Sequence, residues 1–255
     1  MADKIPQILV AWDVPNNIKT LVTTRQGGCS QTPFDSFNLA EHVGDDNADV
    51  QENRQKLNEN LPSAPIWLNQ VHSNVVVEAQ STDTLINADG SYTSQSKVVS
   101  VVMTADCLPV LITNRQGSAV AAVHAGWRGL ASGIIEQGVK EIIATSQCQA
   151  NDIRVWLGPA IGAAAFEVGD EVKQIFLQQV APTEQSDVSA CFIASQNQHK
   201  WLADIYQLAR LRLASIGVEN CSGGTYCTYE DDELFYSYRR DGQTGRMASM
   251  IWMNS

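Results

Sequence analysis

Four histidines occur in 255 residues, so the surroundings of each carry information. His72 lies in Asn69-Gln70-Val71-His72-Ser73, just before a run that reads as a strand. Cys107 lies in Thr104-Ala105-Asp106-Cys107-Leu108-Pro109, where one apolar run ends and another begins. His124 closes the run Ser118 to Val123 and precedes Ala125-Gly126-Trp127-Arg128-Gly129. Side chains at strand ends can converge on one rim. Two imidazoles and a thiolate are a borderline-soft donor set that suits Zn²⁺, and three protein ligands leave a fourth tetrahedral position open, the layout of a catalytic site. Spacing alone leaves the alternative standing that Cys107 is a buried core thiol and each histidine is merely hydrogen-bonded.

Strands must position these residues. Runs rich in Val, Ile and Thr predict strands at Ile18 to Thr24, Asn74 to Glu78, Lys97 to Thr104, Pro109 to Thr113, Ser118 to Val123, Ile153 to Leu157, Leu234 to Tyr238 and Arg246 to Trp252. Helical spacing predicts one helix over Gly129 to Ala144. A second is predicted over Glu171 to Gln179 with Asp170 as N-cap, and a third from the cap Asp204 to Gly217. The polar stretch Pro182 to Lys200 reads as a long excursion between elements. Strands in consecutive runs predict an α+β fold with mixed β-sheets in a single domain, 1–255, and disfavour a doubly wound sheet. Neither GxGxxG nor GxxxxGK[ST] is present.

A formal charge of -11 repels nucleic acid and anionic lipid. An anionic substrate would need locally placed guanidinium groups. The longest apolar run, Val98 to Ala105, is far short of a membrane span, and no basic segment with an apolar stretch opens the chain. The expectation is a soluble cytoplasmic protein, monomer or homodimer, whose six cysteines, without CxxC pairs, are reduced.

The segments TTRQGG (23–28), FNLAEHVGDD (37–46), NQVHSN (69–74), TADCLPVLI (104–112), AAVHAGWRGL (121–130), LGPAIGAAAFEVG (157–169) and FYSYRRDGQTGRMAS (235–249) resemble the signature blocks of the bacterial YfiH-like family, also called the laccase-domain or polyphenol oxidase family. The resemblance implies helices packed outside mixed sheets in α/β/β/α layers. It also implies metal ligation by His72, Cys107 and His124, with Zn²⁺ the expected ion and Cu²⁺ the alternative. The activities it implies are purine nucleoside phosphorolysis of adenosine, inosine and methylthioadenosine, adenosine deamination, copper-dependent polyphenol oxidation, and editing of peptidoglycan precursors.

These activities make different demands on the residues. A multicopper laccase needs a trinuclear cluster beyond the first copper, and only His42 and His199 would remain for it, so oxidation would rest on a single copper that carries electrons without reducing dioxygen by four. Zinc-assisted deamination requires a carboxylate to move protons; Asp106 and Glu167 are the candidates, with ligand orientation or helix capping as the alternative role. Phosphorolysis requires an anion pocket, for which Arg25, Arg128, Arg239 and Arg240 are available. Phe37, Trp127 and Tyr238 could stack on a purine or simply pack in the core. A metal-free rival makes Cys107 a nucleophile with His124 or His72 as base. The reading favoured is a zinc-dependent purine nucleoside phosphorylase with deaminase capacity, its partners being nucleosides and phosphate.

Overall fold

The computed structural model describes residues 5–80 and 84–254. The chain opens with β1 (Gln7–Ile8) and β2 (Ile18–Thr23), then α1 (Asn47–Asn58). Short strands follow: β3 (Leu68–Asn69), β4 (Val76–Glu78), β5 (Ile86–Asn87) and β6 (Gly90–Thr93). The long central strands are β7 (Ser100–Thr104), β8 (Leu108–Asn114) and β9 (Val120–Ala125), followed by α2 (Trp127–Ala131), α3 (Ile134–Ser146) and β10 (Ile153–Leu157). Beyond them come β11 (Glu167–Gly169), α4 (Asp170–Gln178), α5 (Gln185–Ala190), β12 (Phe192–Ala194) and β13 (Lys200–Ala203). The chain ends with α6 (Ile205–Ser215), β14 (Cys221–Gly223), α7 (Tyr238–Asp241) and β15 (Met247–Met253).

Two sheets dominate. One has four strands in the order β1-β2-β15-β7, the other six in the order β14-β10-β8-β9-β6-β4, with both parallel and antiparallel pairs. The two-residue period of a strand sends alternate side chains to opposite faces, and both faces of the central strands are buried. In β15, Met247, Ile251 and Met253 meet Leu111 and Val120 of the larger sheet, whereas Ala248, Met250 and Trp252 face the cluster containing Leu57 of α1. In β8, Leu108, Val110 and Ile112 pack with Ile134, Ile135 and Ile142 of α3. The result is α3 and α6, six-stranded sheet, four-stranded sheet, α1: the mixed α+β layering expected. Among the described residues no helix is long and apolar enough to cross a membrane.

Several elements differ from expectation for identifiable reasons. The helix predicted over Gly129 to Ala144 is two helices, because Gly133 adopts φ +87 between α2 and α3. Leu234 to Tyr238 is not a strand. Phe235 and Tyr236 are apolar through burial within a knot of turns, and the Arg240 guanidinium holds that knot through the carbonyls of Thr228, Tyr229 and Phe235. Asp170 is the first helical residue of α4, Gly169 the cap. The stretch Pro182 to Lys200 contains α5 and β12, and β13 begins at its last residue, with Val188 and Phe192 buried beneath them. The helix α1 went unpredicted because among its residues only Val50, Asn53 and Leu57 are buried, too few apolar positions to set a period. Asp204 does cap α6, accepting from Gln207 N at 3.0 Å.

Candidate metal centre and its cavity

A buried carboxylate organises the site. Asp89, fully buried between β5 and β6, accepts the backbone N–H groups of Val71 (3.2 Å), His72 (2.9 Å) and Ser73 (2.6 Å) and the Ser73 hydroxyl (2.7 Å). The chain after β3 is wound around it, and that turn holds His72 at φ +60, a conformation uncommon for a residue with a Cβ. The same carboxylate contacts His124 Nδ1 at 2.8 Å, and the His124 N–H donates to the Asp89 carbonyl at 2.6 Å. His124 sits in β9, 4% exposed, so its orientation is fixed by the sheet as well as by Asp89. Cys107 lies in the turn joining β7 to β8, immediately after Asp106 at φ +89.

These elements bring His72, Cys107 and His124 together, with one donor atom of each within 4.8 Å of the others. Cys107 Sγ lies 3.8 Å from His72 Nε2, and the two imidazole rings meet edge to face with centroids 4.8 Å apart. Zn–S and Zn–N bonds at a tetrahedral angle place sulfur and nitrogen roughly 3.6 Å apart, so the spacing fits a shared ion. Gly126 forms the cradle: a Cβ there would meet His72 Cδ2 at 2.8 Å and Cys107 Sγ at 2.9 Å. A carboxylate on the far nitrogen of a ligating imidazole is what fixes its tautomer and raises its basicity, and Asp89 does this for His124. The donor set and its support therefore fit a borderline-soft divalent metal.

The electrostatics favour a charged cluster. Burial pushes the Cys107 thiol up, but the adjacent His124 imidazolium and hydrogen bonds to both histidines outweigh it and bring it down to about 6. For His124, burial opposes the charged form, yet the Cys107 thiolate and Asp89 raise it to about 9. Asp89 is held down at about 2, because bonds from His124 and Ser73 overcome its desolvation. A thiolate at neutral pH is the form that ligates metal.

The cluster opens into a cavity of about 580 Å³ lined also by His42, Gln70, Arg128, Phe166, Tyr238 and Arg246. Arg128 is exposed and stacks over Trp127, with its Cζ 4.3 Å from the ring centroid, and Arg239 bonds the Ala165 carbonyl beside Phe166; both line this cavity. Asp106 lines it too, but its two oxygens are taken by the Thr228 hydroxyl (2.7 Å) and the Arg239 N–H (2.6 Å), so it ties the Cys107 turn to α7. Glu167 lies outside the cavity lining, on β11, accepting from Ser195 and Asn197. Arg25 is also elsewhere, paired with Asp35 at 3.2 Å. Arg240 is a structural staple paired with Asp241. Phe37 is wholly in the core, whereas Tyr238 is 61% exposed at the cavity. His199 pairs with Asp170, away from the cluster.

Asp89 and Arg246 went unrecognised in the sequence. Asp89 carries no motif of its own; the β4, β6 and β9 pairings bring it beneath the His72 turn and beside His124. Arg246 reads as the polar start of a strand.

A family model described as multi-copper polyphenol oxidoreductase laccase matches residues 19–254. A purine nucleoside phosphorylase of Pseudomonas aeruginosa, PA4543, is 47% identical over 242 residues, covering 95% of this chain and 96% of its own. The purine nucleoside phosphorylase YfiH of Escherichia coli is 48% identical over 249 residues, covering 96% and 98%. The crystal structure of NMB0706 from Neisseria meningitidis superposes with a TM-score of 0.89 at 44% identity, covering 98% of this chain and 99% of that one. YlmD from Geobacillus stearothermophilus gives 0.85 at 31%, covering 94% and 93%.

Proposed function

The chain belongs to the YfiH-like laccase-domain family, and from that premise we propose that it is a zinc-dependent purine nucleoside phosphorylase acting on adenosine, inosine and methylthioadenosine, with the capacity to deaminate adenosine. The observation that carries this reading is the three-ligand cluster in a cavity lined by guanidinium groups and aromatic rings. His72, Cys107 and His124 would hold the ion. When bound, it would supply Lewis acidity in the cavity, sufficient to activate water near neutral pH.

In phosphorolysis a phosphate oxygen bonds to C1′ as the C1′–N9 bond breaks; its electron pair goes to the purine nitrogen, which takes the proton phosphate gives up. The protein's own work is positioning and charge compensation. Arg128 and Arg239 bring positive charge to the mouth, and the rings of Trp127, Phe166 and Tyr238 offer apolar faces to a base. Asp106 acts in this reading by holding the Cys107 turn against α7. The ligand count speaks against multicopper chemistry, since His72, Cys107 and His124 are the one such cluster found among the described residues, and of the other two histidines only His42 lines that cavity while His199 lies apart.

The test is metal analysis of the purified protein, followed by chromatography of products from adenosine, inosine and methylthioadenosine with and without phosphate. Phosphate-dependent release of base that is abolished in His72→Ala, Cys107→Ala and His124→Ala supports the reading; full phosphorolysis in all three variants sinks it. Chelation separates it from a cysteine hydrolase, which would be indifferent to chelator and killed by alkylation.

A further inference from the structure

Ten arginines occur in this acidic chain, and most are already engaged. Arg25, Arg54, Arg212 and Arg240 pair with carboxylates, while Arg154 and Arg210 bond backbone carbonyls. Arg128, Arg239 and Arg246 share the cavity, and among the described residues none has a carboxylate within ion-pair distance. With 28 acidic residues available, three guanidinium groups without an ion-pair partner in one cavity, faced there by the Asp106 carboxylate and the Cys107 thiolate only at longer range, mark a place that an anion from outside can fill.

Arg246 differs from the other two. It is half-buried at the threshold of β15, its N–H donates to Asn38 Oδ1 at 3.0 Å, and its Nη1 is tied to the carbonyls of Thr244 (2.8 Å) and Gly245 (2.9 Å). The Tyr238 ring lies over it, 5.9 Å from Cζ to centroid. The guanidinium is therefore pre-oriented, and its Nε and Nη2 edge has no protein acceptor among the described residues. That edge is the fork that grips an oxyanion through two parallel N–H bonds. His42 lines the same cavity.

We propose that Arg246, with His42 beside it, seats inorganic phosphate near Cys107, and that this pair rather than Arg128 or Arg239 fixes the phosphate for attack. The assignment rests on the phosphorolytic reading. Alongside that geometry, burial and the nearby charges of Arg246 and Arg54 push the His42 imidazole down against the opposing Glu41 carboxylate. Arg246 itself is desolvated, which strengthens any bond to an anion.

The experiment uses the metal-loaded full chain with Arg246→Gln, Arg246→Lys, and Arg154→Gln as a control outside the cavity. For phosphorolysis of inosine, Arg246→Gln is expected to raise the KM for phosphate at least tenfold while the KM for inosine stays within twofold; Arg246→Lys falls between, and Arg154→Gln matches the parent. Calorimetric titration with inorganic phosphate alone should show one site in the parent and none in Arg246→Gln. A folded Arg246→Gln with an unchanged phosphate KM, or with both KM values raised alike, overturns the assignment. Should Arg246→Gln fail to fold, Arg246→Lys carries the same comparison. Arg246-dependent binding of inosine 5′-monophosphate without binding of free phosphate also overturns it. Phosphate binding through Arg246 with no base released from any nucleoside leaves the seat standing and sinks the phosphorolytic reading; phosphorolysis indifferent to Arg246 does the reverse.

Discussion

Asp89 is the residue on which the centre turns. It orients one ligand through its ring nitrogen and another through its backbone, so it couples two ligands that share no secondary structure. Replacing one partner of a buried hydrogen-bonded pair costs about 3 kcal/mol. Asp89→Asn should lose stability on that scale by urea unfolding and should weaken metal binding at least tenfold by competition with a chromogenic chelator. The sign of its pH dependence follows from its low folded value. A carboxyl held at about 2 instead of its ordinary 3.8 stabilises the fold above pH 4, and that contribution, about 2 kcal/mol, disappears as pH falls toward 2. Acid unfolding of metal-stripped protein should show this loss, and Asp89→Asn should lack it. Cys107 gives a second titration. After metal removal, its thiolate absorbance should appear with a midpoint near pH 6, well below an ordinary thiol; a midpoint above 8 would mean that the imidazolium beside it is absent.

At the scale of elements, the junction between β9 and α2 carries the tightest constraint. Gly126 has φ -66 and ψ 162, a conformation open to any residue, so Gly126→Ala introduces a steric fault without backbone strain. It should fold, with unchanged circular dichroism, and bind metal at least tenfold more weakly. Gly138 in α3 is the contrasting case: a Cβ there would meet Val123 Cγ2 at 2.8 Å and Ile112 Cδ1 at 3.0 Å. The helix gains about 1 kcal/mol from alanine, but overpacking costs roughly 1–3, so Gly138→Ala should lower the urea midpoint while sparing metal affinity. The central strands were legible in the sequence because both their faces are buried, which makes them rich in apolar residues with few polar ones between. The two-residue strands β3 and β5 were not legible, since two residues carry no period, whereas β4 falls inside the predicted strand Asn74 to Glu78. His72, Cys107 and His124 were legible as strand-end residues of the right chemistry. Asp89 and Arg246 were not, because their meaning lies in which backbone groups the fold leaves facing them.

For the molecule as a whole, the ligands come from the turn after β3, the β7–β8 turn and β9, so an ion bound there bridges parts of the fold that separate on unfolding. Metal saturating the native state a thousandfold above Kd adds roughly 4 kcal/mol. Chelation should therefore lower Tm by on the order of 10 °C, restored by Zn²⁺, and the shift should vanish in Cys107→Ala. A Tm unmoved by chelator would mean the cluster is not metallated.

The pairing of β15 with β2 and β7 has a consequence for synthesis. Met253 lies opposite Ile18, so the four-stranded sheet closes only when strands at opposite ends of the sequence meet. Contacts of such long sequence separation slow folding. On the ribosome, His72, Cys107 and His124 emerge while β15 is still untranslated, so the strand that brings Arg246 to the cavity is made after all three ligands. The nascent chain thus holds a reactive thiol and two imidazoles before the wall that shelters them exists, which makes the order of metal capture and sheet closure a kinetic problem for the cell.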